Sequence, residues 1–210
     1  MNIVIVGNDA AFAEAIAKFG DTHQYQWVKQ SPIEPKFLSS VDVVFDFTSA
    51  WSAETLMPYA AAHTTPVFLN SVFTTLSDLI SHGKLSQPVF GFCGLPTFFN
   101  RSILEITSAN PADAEILTST MGLLNTEFKI VKDQVGMITA RVVCMIINEA
   151  NEALKQGVAS REDIDLSMKL GTNYPLGPFE WGDKIGTENV RRLLKSLEEI
   201  TGDSRYRAIF

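Results

Sequence analysis

The sequence predicts an α/β fold in which a parallel sheet carries helices on both faces and is followed by an all-helical region. Three observations lead to this prediction. Short apolar runs alternate with helix-compatible segments through roughly the first 130 residues. Beyond them lies a long proline-free stretch with one apolar side, which indicates helices. The chain of 210 residues, 46% of them hydrophobic, is long enough to bury a substantial core.

The predicted strands are short and almost wholly apolar, which is typical of strands that are buried on both faces. They are Asn2–Val6, Tyr25–Val28, Val41–Phe47, Pro66–Leu69 and Val89–Phe92. The intervening predicted helices are Ala10–Phe19, Trp51–Ala62 and Leu76–His82. A strand at Ser102–Thr107, a helix at Ala112–Met121 and a strand at Glu127–Val131 extend the pattern. Such alternation favours a parallel sheet with helices on its faces.

The second half of the chain reads as helices throughout. A run from Met137 to Gln156 contains no proline and has one apolar side, and Gly157 is expected to end it. Ser160 followed by Asp163 resembles a capping box that opens the next helix.

A last helix is predicted at Glu188–Ile200, with Thr187 as its N-cap, because its apolar residues recur at helical spacing. The change in character near Lys132 predicts two domains, residues 1–132 and residues 133–210.

Charge and cysteine content exclude several classes of protein. A net charge of −7 and a pI near 5.0 argue against binding to nucleic acid or to an anionic membrane surface. Cys93 and Cys144 lie far apart in apolar surroundings, which predicts reduced thiols rather than a disulfide. The first residues lack the pattern of a signal peptide, and no apolar run approaches the roughly 20 residues that span a bilayer. We therefore expect a cytoplasmic protein with no membrane partner.

The first strand leads into a glycine and a helix, which is where a dinucleotide-binding fold places its phosphate loop. The complete motif has three glycines, but here only Gly7 is present, with Asp9 in the second position and Phe12 in the third. The acidic residue expected to bind the ribose is replaced by Lys29. Gly7 is thus the one candidate cofactor-binding residue, and the alternative is a sheet that persists as a scaffold without a nucleotide.

Other kinds of site find little support in the sequence. His23, His63 and His82 have no Cys, His or carboxylate at ligand spacing, so no metal site is predicted. Neither a Gly-x-Ser-x-Gly elbow nor a P-loop is present.

Several motifs in the second half follow one another in a family-specific order. They are Lys132–Arg141, Asn148–Ala150, Gly157–Asp165, Met168–Gly171, Tyr174–Glu180 and Asp203–Arg207. In these motifs, roughly the last 80 residues of the chain resemble the C-terminal domain of the 3-hydroxyacyl-CoA dehydrogenase family. The first 130 residues resemble that family's Rossmann domain, with a much shorter segment between the second and third strands.

The resemblance implies an NAD-dependent oxidoreductase of fatty-acid or 3-hydroxybutyryl-CoA metabolism. It also implies an acyl-CoA-like small molecule as ligand and a homodimer formed through the helical domain. In the family a histidine takes the hydroxyl proton, a glutamate orients that histidine, and serine and asparagine side chains hold the substrate oxygen.

Transferring these roles by motif shows how many of them the chain retains. The histidine position in Gly91–Leu95 is Cys93, and Glu105 follows at the family's spacing for its glutamate. Val72 stands at the serine position and Ala140 at the asparagine position, while a further family glutamate becomes Ala50. Only Glu105 keeps its residue type, so the candidate catalytic residues are Glu105 and Cys93.

Both candidates have a structural alternative. The ordinary pKa of a thiol is about 8.5 and that of imidazole is about 6.5. A thiol also has one reactive atom, whereas imidazole has two nitrogens that can relay a proton. Cys93 is therefore either a substitute base or a small buried apolar residue. Glu105 is either catalytic or the partner of a cation such as Arg101 or Arg141. We expect a family member with lost or much reduced activity, or a non-catalytic homodimeric scaffold or acyl-CoA-like ligand binder.

Overall fold

The computed structural model describes residues 1–38, 40–62 and 64–210. The chain folds into two compact units, Met1–Met137 and Ile138–Phe210. In the described part of the chain, none of the helices has the length and apolar character needed to cross a membrane.

The first unit is built on one sheet of seven strands in the order β2-β1-β3-β4-β5-β6-β7. The strands are β1 Asn2–Val6, β2 Gln24–Val28, β3 Val43–Asp46, β4 Val67–Asn70, β5 Val89–Phe92, β6 Ile103–Ser108 and β7 Glu127–Ile130. All neighbouring strands are parallel except β5 and β6, which are antiparallel. The predicted parallel sheet is confirmed except at this pair, which is antiparallel because residues 93–102 contain no helix and the connection is too short for a crossover.

The described residues of the first unit form four α-helices: α1 Asp9–Phe19, α2 Ala53–Leu56, α3 Leu76–Gly83 and α4 Ala114–Leu123. The single helix predicted over Trp51–Ala62 is divided into α2 and a 3-10 helix, Met57–Ala62. Pro58 has no amide hydrogen, and its ring clashes with the carbonyl one turn earlier, so the α-helix ends before it. The segment before α4 likewise begins as a 3-10 helix at Pro111–Asp113.

The two faces of the sheet bury different side chains. One face is rich in phenylalanine, and its rings contact one another in pairs such as Phe45 and Phe68, whose centroids are 4.5 Å apart. The other face is mostly aliphatic, with Val4, Val44 and Leu69 fully buried. Burial of the strands on both faces explains why they read as continuous apolar runs in the sequence.

The second unit contains four helices: α5 Thr139–Lys155, α6 Arg161–Thr172, α7 Pro178–Ile185 and α8 Thr187–Thr201. The predicted cap of α6 is present, since the amide of Asp163 donates to Oγ of Ser160 at 3.1 Å. The predicted cap of α8 at Thr187 is wrong, because the N-cap is Gly186. Gly186 has φ +89° and also ends α7 through its bond to the carbonyl of Gly182, so one glycine joins both helices.

Candidate active site

The pairing of β5 with β6 brings the two predicted catalytic positions together. Phe92 pairs with Ile106 as the last pair of this antiparallel ladder, so the register, continued by one residue, sets Cys93 opposite Glu105. Directly opposed residues in antiparallel strands project from the same face of the sheet. Cys93 is 8% exposed and Glu105 is half-buried. A thiol and a carboxyl group therefore share one end of β5.

Arg101 lies beside this pair. Its guanidinium stacks 4.4 Å from the ring centroid of Phe98 and is half-buried. Burial lowers the pKa of Arg101, while the charges of Cys93, Glu105 and Glu14 act in the opposite direction. The positive charge of Arg101 therefore interacts with both the thiol and the carboxyl group. Of the two partners expected for Glu105, Arg101 is the one that lies close within the first unit.

Glu14 of α1 holds the loop that carries Arg101. Its carboxylate accepts hydrogen bonds from the amides of Phe99 and Asn100, each at 3.0 Å, and from the amide of Thr97 at 3.4 Å. The sequence analysis missed this residue, because the loop and the glutamate are more than 80 positions apart and no local pattern links them.

Asn70 at the end of β4 ties the neighbouring strands together. Its Oδ1 accepts from the amide of Gly94 at 2.9 Å, and its Nδ2 donates to the carbonyl of Phe47 at 3.1 Å. A Cβ atom on Gly94 would lie 2.8 Å from Cγ of Asn70, so only glycine fits there. The buried side chain of Asn70 therefore fixes the backbone that directly follows Cys93.

The other family positions hold apolar side chains. Val72, at the serine position, is fully buried, and its carbonyl accepts from the amide of Gly136 at 2.8 Å. Ala140, at the asparagine position, lies buried in the first turn of α5, in the second unit. Ala50 is exposed. None of these three side chains can hydrogen-bond to a substrate oxygen. The adjacent Arg141 donates to the hydroxyl of Tyr206.

Gly7, the candidate cofactor residue, lies where β1 turns into α1. Its φ is +154°, and a Cβ atom there would lie 3.0 Å from Cβ of Ala11 and 3.1 Å from Cβ of Phe47. Close packing of the strand end against the helix therefore requires glycine at this position.

The remaining residues of this loop do not fit a dinucleotide. Asp9 occupies the first position of α1, where the partial positive charge of a helix N-terminus would otherwise favour a phosphate. Its carboxylate lies 3.4 Å from Nζ of Lys29. Asn8 caps the helix, because its Oδ1 accepts from the amide of Ala11 at 2.9 Å. Negative charge and an internal cap thus occupy the end of the helix that the motif keeps for pyrophosphate.

An aromatic stack takes the place of the third glycine. The ring of Phe12 lies 4.7 Å from that of Trp27 with an interplanar angle of 8°. Nε1 of Trp27 donates to the carbonyl of Gly7 at 2.9 Å, and Nζ of Lys29 lies 4.1 Å from the indole centroid. The side chains of β2 therefore pack directly onto the loop.

Asp46 is a second buried acid that the sequence analysis did not single out. It is fully buried at the end of β3 and accepts from the hydroxyl of Tyr59 at 2.5 Å and from the amide of Thr48 at 2.7 Å. Burial raises the pKa of Asp46 to about 6 against these two hydrogen bonds. The effect of desolvation on the pKa outweighs that of the hydrogen bonds, so the neutral form of this carboxyl group persists to a higher pH than in water.

Metal-ligating clusters are not found among the residues that the structure describes. Nδ1 of His23 lies 3.3 Å from the terminal amine, and Nδ1 of His82 lies 2.7 Å from the carbonyl of Asp78. His63 lies outside the described residues. Cys93 and Cys144 are both buried, and no disulfide joins them.

The second unit carries an open groove of about 390 Å³ along α5. Val142, Met145 and Ile146 give it an apolar floor. At one end, Arg141 and Arg205 both donate to the phenol oxygen of Tyr206. The groove is therefore apolar in its middle and basic at that end.

The family model for the 3-hydroxyacyl-CoA dehydrogenase C-terminal domain matches residues 136–210. Residues 136–210 belong to the 3-hydroxyacyl-CoA dehydrogenase family, as its C-terminal domain. The match covers the four helices of the second unit, which contain most of the motifs described from the sequence.

Curated members of the family align with parts of the chain. It is 51% identical over 77 residues to the 3-hydroxyadipyl-CoA dehydrogenase of Escherichia coli K12, covering 37% of this chain and 16% of that protein. It is 30% identical over 146 residues to the 3-hydroxybutyryl-CoA dehydrogenase of Clostridioides difficile, covering 66% and 50%. The human mitochondrial hydroxyacyl-coenzyme A dehydrogenase is 37% identical over 150 residues, covering 70% and 47%. The chain thus spans half or less of these relatives' lengths.

Solved structures of the family share the fold over nearly the whole chain. The (S)-3-hydroxybutyryl-CoA dehydrogenase PaaH1 from Ralstonia eutropha superposes with a TM-score of 0.77 at 20% identity, covering 99% of this chain and 90% of that one. FadB2 from M. tuberculosis also gives 0.77, at 15% identity and with coverage of 98% and 89%. The predicted fold class, a Rossmann-like sheet domain followed by helices, is confirmed.

Proposed function

We propose that this chain is a 3-hydroxyacyl-CoA dehydrogenase-like protein whose NAD-dependent oxidation of 3-hydroxyacyl-CoA is lost or much reduced. One observation supports the proposal: Phe92 pairs with Ile106 in the β5–β6 ladder, and continuing that register by one pair would set Cys93, rather than a histidine, opposite Glu105. The base of this reaction must accept a hydroxyl proton while it donates a hydrogen bond to the glutamate. A thiol has one reactive atom and cannot do both.

The surroundings of Glu105 support the same conclusion. Arg101 lies close enough for its positive charge to interact with both Glu105 and Cys93. A glutamate that already interacts with a guanidinium gives less stabilisation to a second, protonated base.

The geometry of the nucleotide loop supports weak or absent NAD binding. The carboxylate of Asp9 would face the negatively charged pyrophosphate, and the ring of Phe12 fills the position that the motif leaves to glycine. Gly7 alone retains the residue type that the loop needs. The sheet then acts as a scaffold.

The second candidate function is a homodimeric scaffold or binder of an acyl-CoA-like molecule. It is favoured by α5, whose residues Ile138 and Val142 are 57% and 51% exposed and continue into the apolar floor of the groove. Apolar side chains in such a row are typical of an interface. We assign this face to a second copy of the chain, as the family resemblance implies.

NADH titration tests the loss of cofactor binding. We expect no saturable rise in NADH fluorescence up to millimolar protein. Saturable binding at micromolar concentration would contradict the proposal, and the E. coli relative serves as the positive control.

Turnover of 3-hydroxybutyryl-CoA, followed as NADH formation, tests the chemistry. We expect a rate close to background. If a rate is measured, Cys93→Ala and Glu105→Gln should each lower it, whereas Cys144→Ala, the matched change at the other buried thiol, should leave it unchanged. An equal rate in all variants would contradict the assignment of Cys93 and Glu105.

Light scattering tests the dimer. Ile146→Glu places a charge in the groove and should convert a dimer to monomer. Leu123→Glu is the control, because Leu123 is 63% exposed and belongs to the first unit. An unchanged mass for Ile146→Glu would show that this face is not the interface.

A further inference from the structure

The groove along α5 carries opposite charges at its two ends. Arg141 lies at the basic end beside Arg205, and Glu149 lines the groove about two turns further along the helix. The positions of Arg141 and Glu149 in the sequence place them about 12 Å apart along the helix axis. The apolar floor of the groove lies between them.

Neither Arg141 nor Glu149 forms an ion pair within the residues that the structure describes. Arg205, by contrast, is paired, since its Nε lies 3.0 Å from a carboxylate oxygen of Asp203. Arg141 donates to the hydroxyl of Tyr206 at 3.1 Å, and Glu149 is exposed. The groove therefore presents a cation at one end and an anion at the other, both available to a partner.

The side chains along this face follow the spacing of a pair of helices. Ile138, Val142, Met145 and Glu149 recur at intervals of four, three and four residues, which is the a/d spacing of helices that pack along a shared seam. Ile138 and Val142 are more than half exposed. The seam is thus accessible and suits a second α-helix.

Symmetry decides how a second copy of α5 can lie on this seam. In a twofold dimer each surface patch meets the same patch of the other copy. Parallel helices would set Arg141 against Arg141 and Glu149 against Glu149, and like charges across an interface oppose association. Antiparallel helices exchange the two ends, so each Arg141 meets a glutamate. Met145 is midway between the two charges and would then lie at the twofold axis.

We propose that two copies of the chain pair through antiparallel α5 helices, with Glu149 of each copy bound to Arg141 of the other. The carboxylate fills the basic end of the groove, where the hydroxyl of Tyr206 holds the guanidinium of Arg141. Met145 meets its own counterpart at the centre of the seam. This pairing rests on the homodimer, the second candidate function, and specifies which residues meet across it.

Cysteine cross-linking tests the direction of the helices. Met145→Cys should give a disulfide between two copies under mild oxidation, because a residue at the twofold axis lies opposite itself and a disulfide needs Cα atoms within about 7 Å. Ile138→Cys is the control on the same seam, since its two copies would lie roughly 21 Å apart in the antiparallel pair. Cys93 and Cys144 are buried and should not react. A disulfide in Ile138→Cys, or none in Met145→Cys, would overturn the pairing.

Charge reversal tests the contact between Glu149 and Arg141. Glu149→Arg should raise the dissociation constant of the dimer at least about tenfold, because it sets like charges together twice in each dimer. The double variant Arg141→Glu with Glu149→Arg restores opposite charges and should return the constant to within about threefold of wild type. Glu115→Arg makes the same change at an exposed residue of the first unit and should have no effect. Equal constants for Glu149→Arg and Glu115→Arg would overturn the contact.

The mass of the wild type separates this pairing from the homodimer itself. Light scattering should give twice the mass of one chain. A monomer would remove the homodimer and this pairing together, whereas a dimer that fails the cross-linking and charge-reversal tests would remove the pairing alone. Calorimetric titration with decanoate covers the other occupant of the groove. Saturable binding of this amphipathic anion to a monomer, abolished by Arg141→Gln, would show that the groove takes a small acid instead of a second copy.

Discussion

Gly177 lies directly against the carboxyl group of Asp165, so that a Cβ atom on the glycine would be 2.2 Å from Cγ of the aspartate. The carboxylate in turn accepts from the amides of Phe179 and Glu180, at 2.8 and 3.2 Å. These amides belong to the first turn of α7, whose N-terminal groups have no partners within the helix. One side chain of α6 thus caps α7, and the glycine provides the room for it.

Gly177→Ala should lower the free energy of unfolding by about 2–3 kcal/mol, because the methyl group displaces the Asp165 carboxylate from the amides it caps. Urea unfolding followed by circular dichroism measures this. Gly171→Ala is the control: Gly171 lies in α6 with no atom within 4 Å of its Cβ position, so alanine should stabilise by about 0.5–1 kcal/mol. Equal effects of the two substitutions would contradict the capping role.

Asp46 should make the first unit more stable at acid pH. Its pKa in the folded state is about 6, above the ordinary 3.8, so the folded state binds the proton more tightly than the unfolded state. The stabilisation is fully present below the unfolded pKa and is lost as the pH rises through about 6. Relative to Asp46→Asn, the wild type should gain about 1 kcal/mol between pH 8 and pH 5. A constant difference between the two proteins across that range would show that the pKa is not raised.

Asp133 should contribute more to the free energy of unfolding than an ordinary surface carboxylate does. It accepts from the amides of Leu76 and Ser77, at 2.7 and 2.8 Å, and so caps α3 from a distant segment of the chain. Asp133→Ala should lower the free energy of unfolding by about 1–2 kcal/mol. Asp113→Ala, at the start of α4 but without a side-chain capping bond, should change it by less than about 0.5 kcal/mol. Chemical denaturation of both variants decides this, and equal losses would contradict the prediction.

The hydroxyl of Tyr206 should ionise at a lower pH than a free tyrosine. Burial opposes its ionisation, but hydrogen bonds and charge from Arg141 and Arg205 outweigh burial and lower its pKa. Arg141→Gln should therefore raise the pKa of Tyr206. An absorbance titration of phenolate formation, with Tyr206→Phe subtracted to isolate the signal, measures it. The prediction fails if Arg141→Gln leaves the titration of Tyr206 unchanged.

The sequence could predict the elements whose signals are local. The strands are apolar runs because both of their faces are buried. Ser160 indicates the start of a helix because its side chain accepts a hydrogen bond from an amide three residues away. Glu105 and Cys93 could be placed by motif and spacing alone. Gly7 could be recognised because a strand, a glycine and a helix follow one another directly.

Other features depend on contacts between distant residues. The loop after Cys93 is held by Glu14 and Asn70, and Asp46 meets Tyr59 only through the folding of β3 and the helix beside it. No spacing rule predicts these pairs, because each partner lies on a separate element and the chain between them has no fixed length.

By itself, the sequence determined the order of strands and helices and the family motifs of the second half, since these depend on residue types and local periodicity, and it carries the prediction that Cys93 stands at the family's histidine position. Only the tertiary structure decided that β6 runs antiparallel to β5, and hence that Cys93 lies opposite Glu105 beside Arg101. It also decided that the ring of Phe12 stacks on Trp27, whose Nε1 donates to the carbonyl of Gly7. The physical reason is that strand pairing and side-chain burial are set by the whole sheet, whose partners are distant in sequence.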